Sequence, residues 1–160
     1  MTSKPSLINS KMTNSADPSE SISSPLPVGT PIKEVLKPWG KELWFAVEPE
    51  YVGKILCIKK GHRYSLQYHE KKKETQYLMS GKVKFSLGEK GEALKEIILN
   101  PGDKLDVYPG MVHRAEALED AQIFEVSTND LDDVVKLSDD YGRSGKGNDF
   151  EKDARLAENS

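Results

Sequence analysis

Four side chains of types that bind metal ions fall in two short segments of the sequence. Gln67 and His69 lie two residues apart, Glu74 follows shortly after them, and His113 comes after the turn Pro109-Gly110. Because alternate side chains of a strand point to the same side, Gln67 and His69 would share one face. A hairpin after His69 would bring the carboxylate of Glu74 near its imidazole. We therefore expect Gln67, His69, Glu74 and His113 to bind one metal ion together.

This set of donors favours a single divalent ion. Two neutral imidazole nitrogens, one carboxylate and one amide oxygen suit zinc, manganese and iron, and of these we expect zinc. With one negative donor the ion keeps about one positive charge, which makes it a better Lewis acid than a site with two carboxylates would. Without the amide, His69, Glu74 and His113 would match the two-histidine, one-carboxylate set of Fe(II) oxygenases. An oxygen-dependent enzyme is therefore the alternative from another reaction class.

Strands must carry these residues, because short segments of alternating or β-branched residues dominate the sequence after Ile32. Glycine and proline turns separate the segments, and no long helical pattern precedes Asp149. The predicted strands cover residues 41–47, 51–60, 63–69, 74–80, 82–87, 95–99, 104–108, 112–117, 122–127 and 134–137. This pattern predicts an all-β barrel or sandwich, and a double-sheet jelly roll accommodates it. In strand 63–69, Arg63 and Ser65 would share the face of Gln67, and Tyr64 would lie on the other face.

The chain is predicted to divide into three parts. Residues 1–31 are rich in serine and proline and would form a disordered, flexible tail. Residues 32–143 would form the barrel, and residues 144–160 a charged C-terminal tail. Within that tail, residues 149–159 allow a short charged helix, but they contain too few apolar residues to dock firmly.

Composition argues against several classes of function. A net charge of −3 with interspersed charges argues against a nucleic-acid partner, and no apolar segment is long enough to span a membrane. The single cysteine, Cys57, excludes an intramolecular disulfide and fits a reducing, cytoplasmic location. The short basic run at residues 71–73 is interpreted as a solvated loop. Pairing of two barrels into a homodimer stays open.

The segments that carry the candidate ligands resemble the two sequence motifs of the cupin family. The first motif matches at Gly61, Gln67, His69, Glu74 and Gly81, and the second at Gly102, Gly110 and His113. The second motif departs at Tyr108, where the family has proline, and at Ala117, where it has asparagine. The resemblance implies a single cupin barrel, which is also called a double-stranded β-helix or jelly roll.

Among cupins, the chain resembles the mannose-6-phosphate isomerase domain of bifunctional isomerase/guanylyltransferases. The similarity covers residues 37–143. It rests on the Gln-x-His pair, on Lys37-Pro38-Trp39-Gly40, on His113-Arg114 and on Asp139-Asp140-Tyr141-Gly142-Arg143. Lys72 and Gln76 depart from that domain, which usually has arginine at the first position and often tryptophan at the second.

The resemblance implies a metal-dependent aldose–ketose isomerase that converts mannose 6-phosphate to fructose 6-phosphate through an enediolate. The reaction needs a polarised carbonyl and a base that moves a proton between C1 and C2. The candidate catalytic residues are Glu125, Lys60 and Arg143. Arg63, Arg114 and Arg143 are the candidates for binding the phosphate, because guanidinium groups suit bidentate contacts. A cupin that binds a sugar without turnover is the third interpretation.

Overall fold

The computed structural model describes residues 32–159, so the predicted N-terminal tail lies outside the described residues. Within these residues, twelve strands and one helix follow one another: β1 Lys33–Lys37, β2 Gly40–Val47, β3 Val52–Ile58, β4 Leu66–Tyr68, β5 Glu74–Ser80, β6 Val83–Gly88, β7 Lys95–Leu99, β8 Lys104–Val107, β9 Val112–Ala117, β10 Ala121–Ser127, β11 Val135–Ser138, β12 Gly145–Lys146 and α1 Phe150–Ala157. Within residues 32–159, no helix is long and apolar enough to cross a membrane.

Two six-stranded sheets form the fold. Sheet A has the strand order β1-β2-β3-β10-β5-β8, and sheet B has the order β12-β11-β4-β9-β6-β7. All of these pairings are antiparallel. Neighbours such as β3 and β10 are distant in the sequence, as the crossed connections of a jelly roll require. The prediction of an all-β fold is confirmed.

The apolar faces of the two sheets enclose one core. Phe85 of β6 is 1% exposed, and fully burying such a side chain stabilises the folded state by about 1.5–3 kcal/mol. The buried core residues are Trp39, Leu56, Ile58, Tyr64, Leu78, Val83, Phe85, Leu99, Ala115, Ala117, Ala121 and Ile123.

The inward face of sheet A changes from apolar to polar within one step along its strands. Ile123 of β10 lies between Leu56 of β3 and Leu78 of β5. The next inward row carries charged or amide side chains in the same three strands: Lys54, Glu125 and Gln76. Because two residues advance a strand by about 7 Å, a buried polar layer lies directly beside the apolar core.

Gly81, the second glycine of the first cupin-like motif, forms the turn between β5 and β6. Its φ angle is +82°, and a Cβ at this position would lie 2.2 Å from the carbonyl oxygen of Asp120. A side chain is therefore excluded both by the backbone conformation and by the neighbouring strand connection.

The predicted strand at residues 63–69 is only partly formed in the structure. Only β4 is regular there, and an isolated bridge joins Arg63 to Glu116. The break interrupts the alternation of faces, so that Tyr64 and Ser65 are both buried, at 4% and 2% exposure. The expectation that Tyr64 faces away from the ligand side is therefore wrong.

Strands β1 and β12 are absent from the sequence prediction. The sequence of β1, Lys-Glu-Val-Leu-Lys, has charged ends that hide its alternation, and pairing with β2 forms the strand. The strand β12 is only two residues long and pairs with β11. Tertiary pairing rather than local propensity produces both strands.

Helix α1 docks on β1, which contradicts the expectation that it would not dock firmly. Asp149 caps its start by accepting a hydrogen bond from the backbone N–H of Lys152. The buried residue of the helix is Asp153, which is 1% exposed and pairs with Lys37 and Arg143. The expectation considered only apolar burial, whereas a doubly paired carboxylate holds the helix in place.

Candidate metal centre

His69, Glu74 and His113 lie close together at the polar end of the barrel. His69 directly follows β4, Glu74 is the first residue of β5, and His113 is the second residue of β9. Gln67 pairs with His113 across β4 and β9. The strands β4 and β5 belong to different sheets, so no hairpin joins His69 to Glu74. The two side chains approach each other because the sheets face each other.

The donor atoms of the three residues lie close enough to share one metal ion. Nε2 of His69 is 3.5 Å from Oε2 of Glu74, and Nε2 of His113 is 3.2 Å from Oε1. All three donors lie within 4.8 Å of one another, and the residues are at most 4% exposed. This cluster could hold a metal ion.

The hydrogen bonds of the two histidines fix their tautomers. Nδ1 of His69 contacts the carbonyl oxygen of Asp133, and Nδ1 of His113 lies 3.1 Å from that of Met111. Because a carbonyl only accepts, each Nδ1 carries the proton and each Nε2 presents a lone pair. Both Nε2 atoms are buried without a hydrogen-bond partner. They face the oxygens of Glu74, which also only accept, so a cation between them fits the donor set.

Lys72 supplies a positive charge beside this cluster. Its Nζ lies 2.5 Å from Oε2 of Glu74 and 2.9 Å from Oε1 of Glu125, and the residue is 6% exposed. The interpretation of residues 71–73 as a solvated loop is therefore wrong for Lys72, although Lys71 and Lys73 are exposed. The sequence run gives no sign of this, because the partners come from β5 and β10.

Lys72 and Glu74 each stabilise the charged form of the other, although both residues are buried. Burial alone would raise the pKa of Glu74, but the Lys72 ammonium holds that pKa well below its usual range. Burial would likewise lower the pKa of Lys72, yet Glu125 and Glu74 raise it above its usual value. Both groups are therefore ionised at neutral pH.

Gln76 connects the cluster to Glu125. Its amide nitrogen donates to Oε1 of Glu74 at 2.8 Å and lies 3.5 Å from Oε2 of Glu125. The hydroxyl of Tyr64 donates to the amide oxygen of Gln76 at 3.4 Å, and its ring packs edge-on against His113. Burial, with the nearby Glu74, raises the pKa of Tyr64 well above its usual value, so the hydroxyl keeps its proton.

A second buried network begins at Glu42 on β2. Its carboxylate accepts from the indole N–H of Trp44 at 2.7 Å and lies 3.4 Å from Nζ of Lys54 and 3.7 Å from Nζ of Lys37. Burial opposes ionisation of Glu42, but Lys54, Lys37 and the indole lower its pKa to about 2. Lys37 also donates to Asp153 of α1 at 2.7 Å.

The two networks line one cavity of about 60 Å³. Five cationic side chains line it, namely Lys37, Lys54, Lys72, Lys136 and Arg143, against the carboxylates of Glu42, Glu74 and Glu125. Asp139 and Asp153, which are not part of the lining, pair with Arg143 and Lys37 and balance the two remaining positive charges.

Gln67 and Lys136 lie side by side at this cavity. They pair across β4 and β11, and both line the cavity. The amide oxygen of Gln67 accepts from the hydroxyl of Ser65 at 2.9 Å and has a second lone pair for another contact. Lys136 donates to the carbonyl of Gly147 at 2.6 Å, and burial lowers its pKa.

The structure brings two of the predicted catalytic residues to the cavity. Glu125 is 4% exposed and pairs with Lys72. Arg143 is 7% exposed and binds Asp139 through Nε and Nη2, and Asp153 through Nη1. The predicted phosphate binder Arg143 therefore reaches the cavity with its guanidinium already held by two carboxylates.

Three other predicted residues do not line the cavity. Lys60 is exposed in the loop after β3. The side chain of Arg63 is 37% exposed and pairs with Asp140 at 2.7 Å. Arg114 follows His113 on β9, so the alternation of faces turns it away from the cavity, and it donates to the carbonyl of Ser138.

Asp133 positions the site but is not among the predicted residues. Its carboxylate accepts the backbone N–H groups of Glu70, Lys71 and Lys72 at 2.9, 2.6 and 2.7 Å. Its own carbonyl accepts from His69. The one sequence signal is a run of aspartates between two strands, and this run does not indicate which of them holds the loop.

Comparison with known proteins supports the fold. No protein-family model matches the sequence, and no curated protein matches it. Among solved structures, KdgF from Halomonas sp. is 22% identical, with a TM-score of 0.50 over 56% of this chain and 79% of that protein. CapF from Staphylococcus aureus, a capsular polysaccharide assembling protein, is 18% identical with a TM-score of 0.54, covering 71% of this chain and 33% of CapF.

Oxalate decarboxylase from Bacillus subtilis is 17% identical, with a TM-score of 0.58 over 66% of this chain and 30% of the decarboxylase. The chain thus spans about a third of the length of CapF and of the decarboxylase. All of these proteins have the cupin fold. Residues 32–159 therefore adopt a cupin barrel, as the sequence motifs predict.

Proposed function

We propose that this cupin is a metal-dependent aldose–ketose isomerase whose substrate is a sugar phosphate, with mannose 6-phosphate and fructose 6-phosphate as the first pair to test. One observation carries the proposal: two unpartnered Nε2 atoms face Glu74 in a cavity lined by five cationic side chains, and Glu125 lies beside them. These cationic side chains suit a phosphorylated substrate. The choice of this reaction comes from the resemblance of the sequence to mannose-6-phosphate isomerase domains.

His69, Glu74 and His113 would hold the ion, with Gln67 as a fourth donor, and zinc is our first choice for it. When bound, the ion would supply Lewis acidity that polarises the substrate carbonyl. Glu74 also anchors Lys72 and Gln76. The residues that bind the ion thereby position the polar groups around the reacting carbons.

Glu125 is the base in this proposal. It takes the proton from C2 of the open-chain aldose and returns a proton to C1, while the hydroxyl proton on C2 moves to the oxygen on C1. Lys72, at 2.9 Å, holds the Glu125 carboxylate in place before the transfer. Its ammonium also offsets the negative charge that develops on the two substrate oxygens.

The test is a coupled assay of mannose 6-phosphate isomerisation. The full-length protein is stripped with chelator and then reloaded separately with zinc, manganese or iron. Turnover should depend on the ion, and Glu125→Gln should lower kcat on the order of 10²–10⁴-fold while the ion still binds. Lys60→Ala, outside the cavity, is the matched control and should keep full activity.

The outcomes separate the parts of the proposal. Activity that survives in Glu125→Gln would remove Glu125 as the base. If metal binds and no sugar phosphate turns over with any ion, the isomerase proposal fails. Binding of the sugar without turnover would instead identify a sugar-binding cupin.

A second candidate is an Fe(II) oxygenase. The cluster of His69, Glu74 and His113 is a two-histidine, one-carboxylate set by itself, and the amide oxygen of Gln67 already accepts from Ser65. Oxygen consumption by the iron-loaded protein, measured with an oxygen electrode and a panel of small acids, would favour this candidate.

A further inference from the structure

The carboxylate of Asp153 is bound as a ligand would be bound. Lys37 donates to one of its oxygens at 2.7 Å, and Nη1 of Arg143 donates to the other at 3.0 Å. Asp153 is 1% exposed although it belongs to a short helix at the edge of the described chain. An ammonium and a guanidinium group that each hold one oxygen form a geometry that also suits a phosphate or a substrate carboxylate.

Both cations have a second partner on the barrel. Nε and Nη2 of Arg143 bind Asp139 at 3.0 and 2.6 Å. Lys37 lies 3.7 Å from Glu42 of β2. Removal of Asp153 would therefore leave both cations in place, with Nη1 of Arg143 and the Lys37 ammonium free to donate. Such a prearranged pair binds an anion without the cost of ordering its side chains.

This pair lies at the same cavity as the metal centre. Lys37 and Arg143 line it together with His69 and Glu74, and Lys136 adds a third cationic group. The C-terminal segment closes that side, because Asn148 is part of the lining and Gly147 accepts from Lys136.

We propose that Lys37 and Arg143, with Lys136 beside them, form the subsite for the anionic group of the substrate, and that Asp153 of α1 occupies this subsite until the substrate displaces it. The inference rests on the proposed function for the identity of the anion. Displacement of Asp153 frees α1 from β1 and enlarges the cavity on the side of the C-terminal segment. Apart from the ion pairs of Asp153, the contacts that hold α1 include Phe150 on Trp44, which packs edge-on at 6.0 Å.

The first test uses inorganic phosphate as the probe and isothermal titration as the readout. The full-length chain is freed of metal with chelator, so that phosphate cannot bind an ion. Asp153→Asn removes the competing charge and should bind phosphate on the order of tenfold more tightly than the wild type. Glu151→Gln, on the exposed side of the same helix, should bind it like the wild type.

The double variant Lys37→Met/Asp153→Asn should lose the gain. Equal affinity of Asp153→Asn and wild type would overturn the proposal, as would a gain that persists without Lys37, because phosphate would then bind elsewhere.

The second test needs no variant. Saturating phosphate should speed amide hydrogen exchange in α1 of the wild type and leave β9 unchanged. Phosphate binding with unchanged protection of α1 would refute displacement. Neither test requires turnover, so an inactive protein that passes both would lose the isomerase function and keep the subsite. An active isomerase that fails both would keep the function and lose the subsite.

Discussion

Replacing Lys72 with methionine removes the ammonium group that two buried carboxylates share. Nζ of Lys72 lies 2.5 Å from Glu74 and 2.9 Å from Glu125, and each carboxylate is 4% exposed. Methionine keeps the length of the side chain and its apolar stem. The variant therefore isolates the charge and leaves the packing largely unchanged.

The expected loss of stability follows from the burial. Removing one partner of a buried ion pair costs about 3–5 kcal/mol, because the remaining charge has no compensation. Two carboxylates lose their partner here, although Gln76 still donates to Glu74. At a typical slope of unfolding free energy with denaturant, this loss lowers the urea midpoint of the metal-free protein by roughly 2 M.

A metal ion should recover part of that loss. It supplies positive charge to Glu74 in place of Lys72, so zinc should stabilise Lys72→Met more than the wild type. We expect the variant to bind zinc on the order of tenfold more tightly, because a neighbouring cation no longer repels the ion. Urea unfolding with and without zinc, together with a competition titration, measures both effects.

Lys71→Met is the matched control, because Lys71 is exposed in the same loop. A surface change of this kind alters stability by at most about 0.5 kcal/mol. The reasoning is refuted if both variants lose the same stability, or if zinc stabilises Lys72→Met no more than it stabilises the wild type.

Three further changes test the site and its support. His113→Ala removes one metal donor. It should weaken zinc binding by more than about 100-fold, because loss of a residue that only supports a ligand already costs up to about that much. A chelator competition measures the affinity, and the control His62→Ala should bind zinc like the wild type. Glu42 has a pKa of about 2 in the folded state against 4.5 as its ordinary value, so the stability it provides is complete above pH 4.5 and is lost as the pH falls toward 2. Between pH 5 and pH 3 this loss amounts to about 2 kcal/mol. The unfolding free energy of Glu42→Gln, measured in urea, should therefore fall less between these pH values than that of the wild type. An equal fall in both proteins would contradict the low pKa of Glu42. Asp133→Ala frees three backbone N–H groups and should lower the unfolding free energy by about 2–4 kcal/mol. Urea unfolding measures this loss, with Asp132→Ala as the control. Equal losses in the two variants would show that Asp133 does not hold the loop.

The strand pattern and the ligand candidates could be predicted from the sequence because both are local. Alternation of apolar residues repeats every two positions within a strand, and turn residues mark its ends. The predicted strands at residues 74–80, 95–99 and 112–117 coincide with β5, β7 and β9. The spacing of Gln67, His69 and Glu74 also follows from the sequence alone, and it led to the cupin fold that the structural comparisons support.

The break before β4 shows where local patterns fail. Alternation predicted that Tyr64 would face away from the ligands, but only an isolated bridge joins Arg63 to Glu116 there, and the regular strand begins at Leu66. The side chain of Arg63 is 37% exposed and pairs with Asp140, and Tyr64 reaches Gln76 in the cavity. The residues that decide this arrangement are distant in the sequence.

The sequence by itself determined which side chains alternate on each strand and which residues have the chemistry to bind a metal ion. Only the tertiary structure decided which buried charges are neighbours. Opposed sheets bring Glu74 to His69, β10 brings Glu125 to Lys72, and α1 brings Asp153 to Lys37, 116 residues away. A buried charge is tolerated only where a partner compensates it, and such partners come from distant segments whose contacts no local pattern encodes.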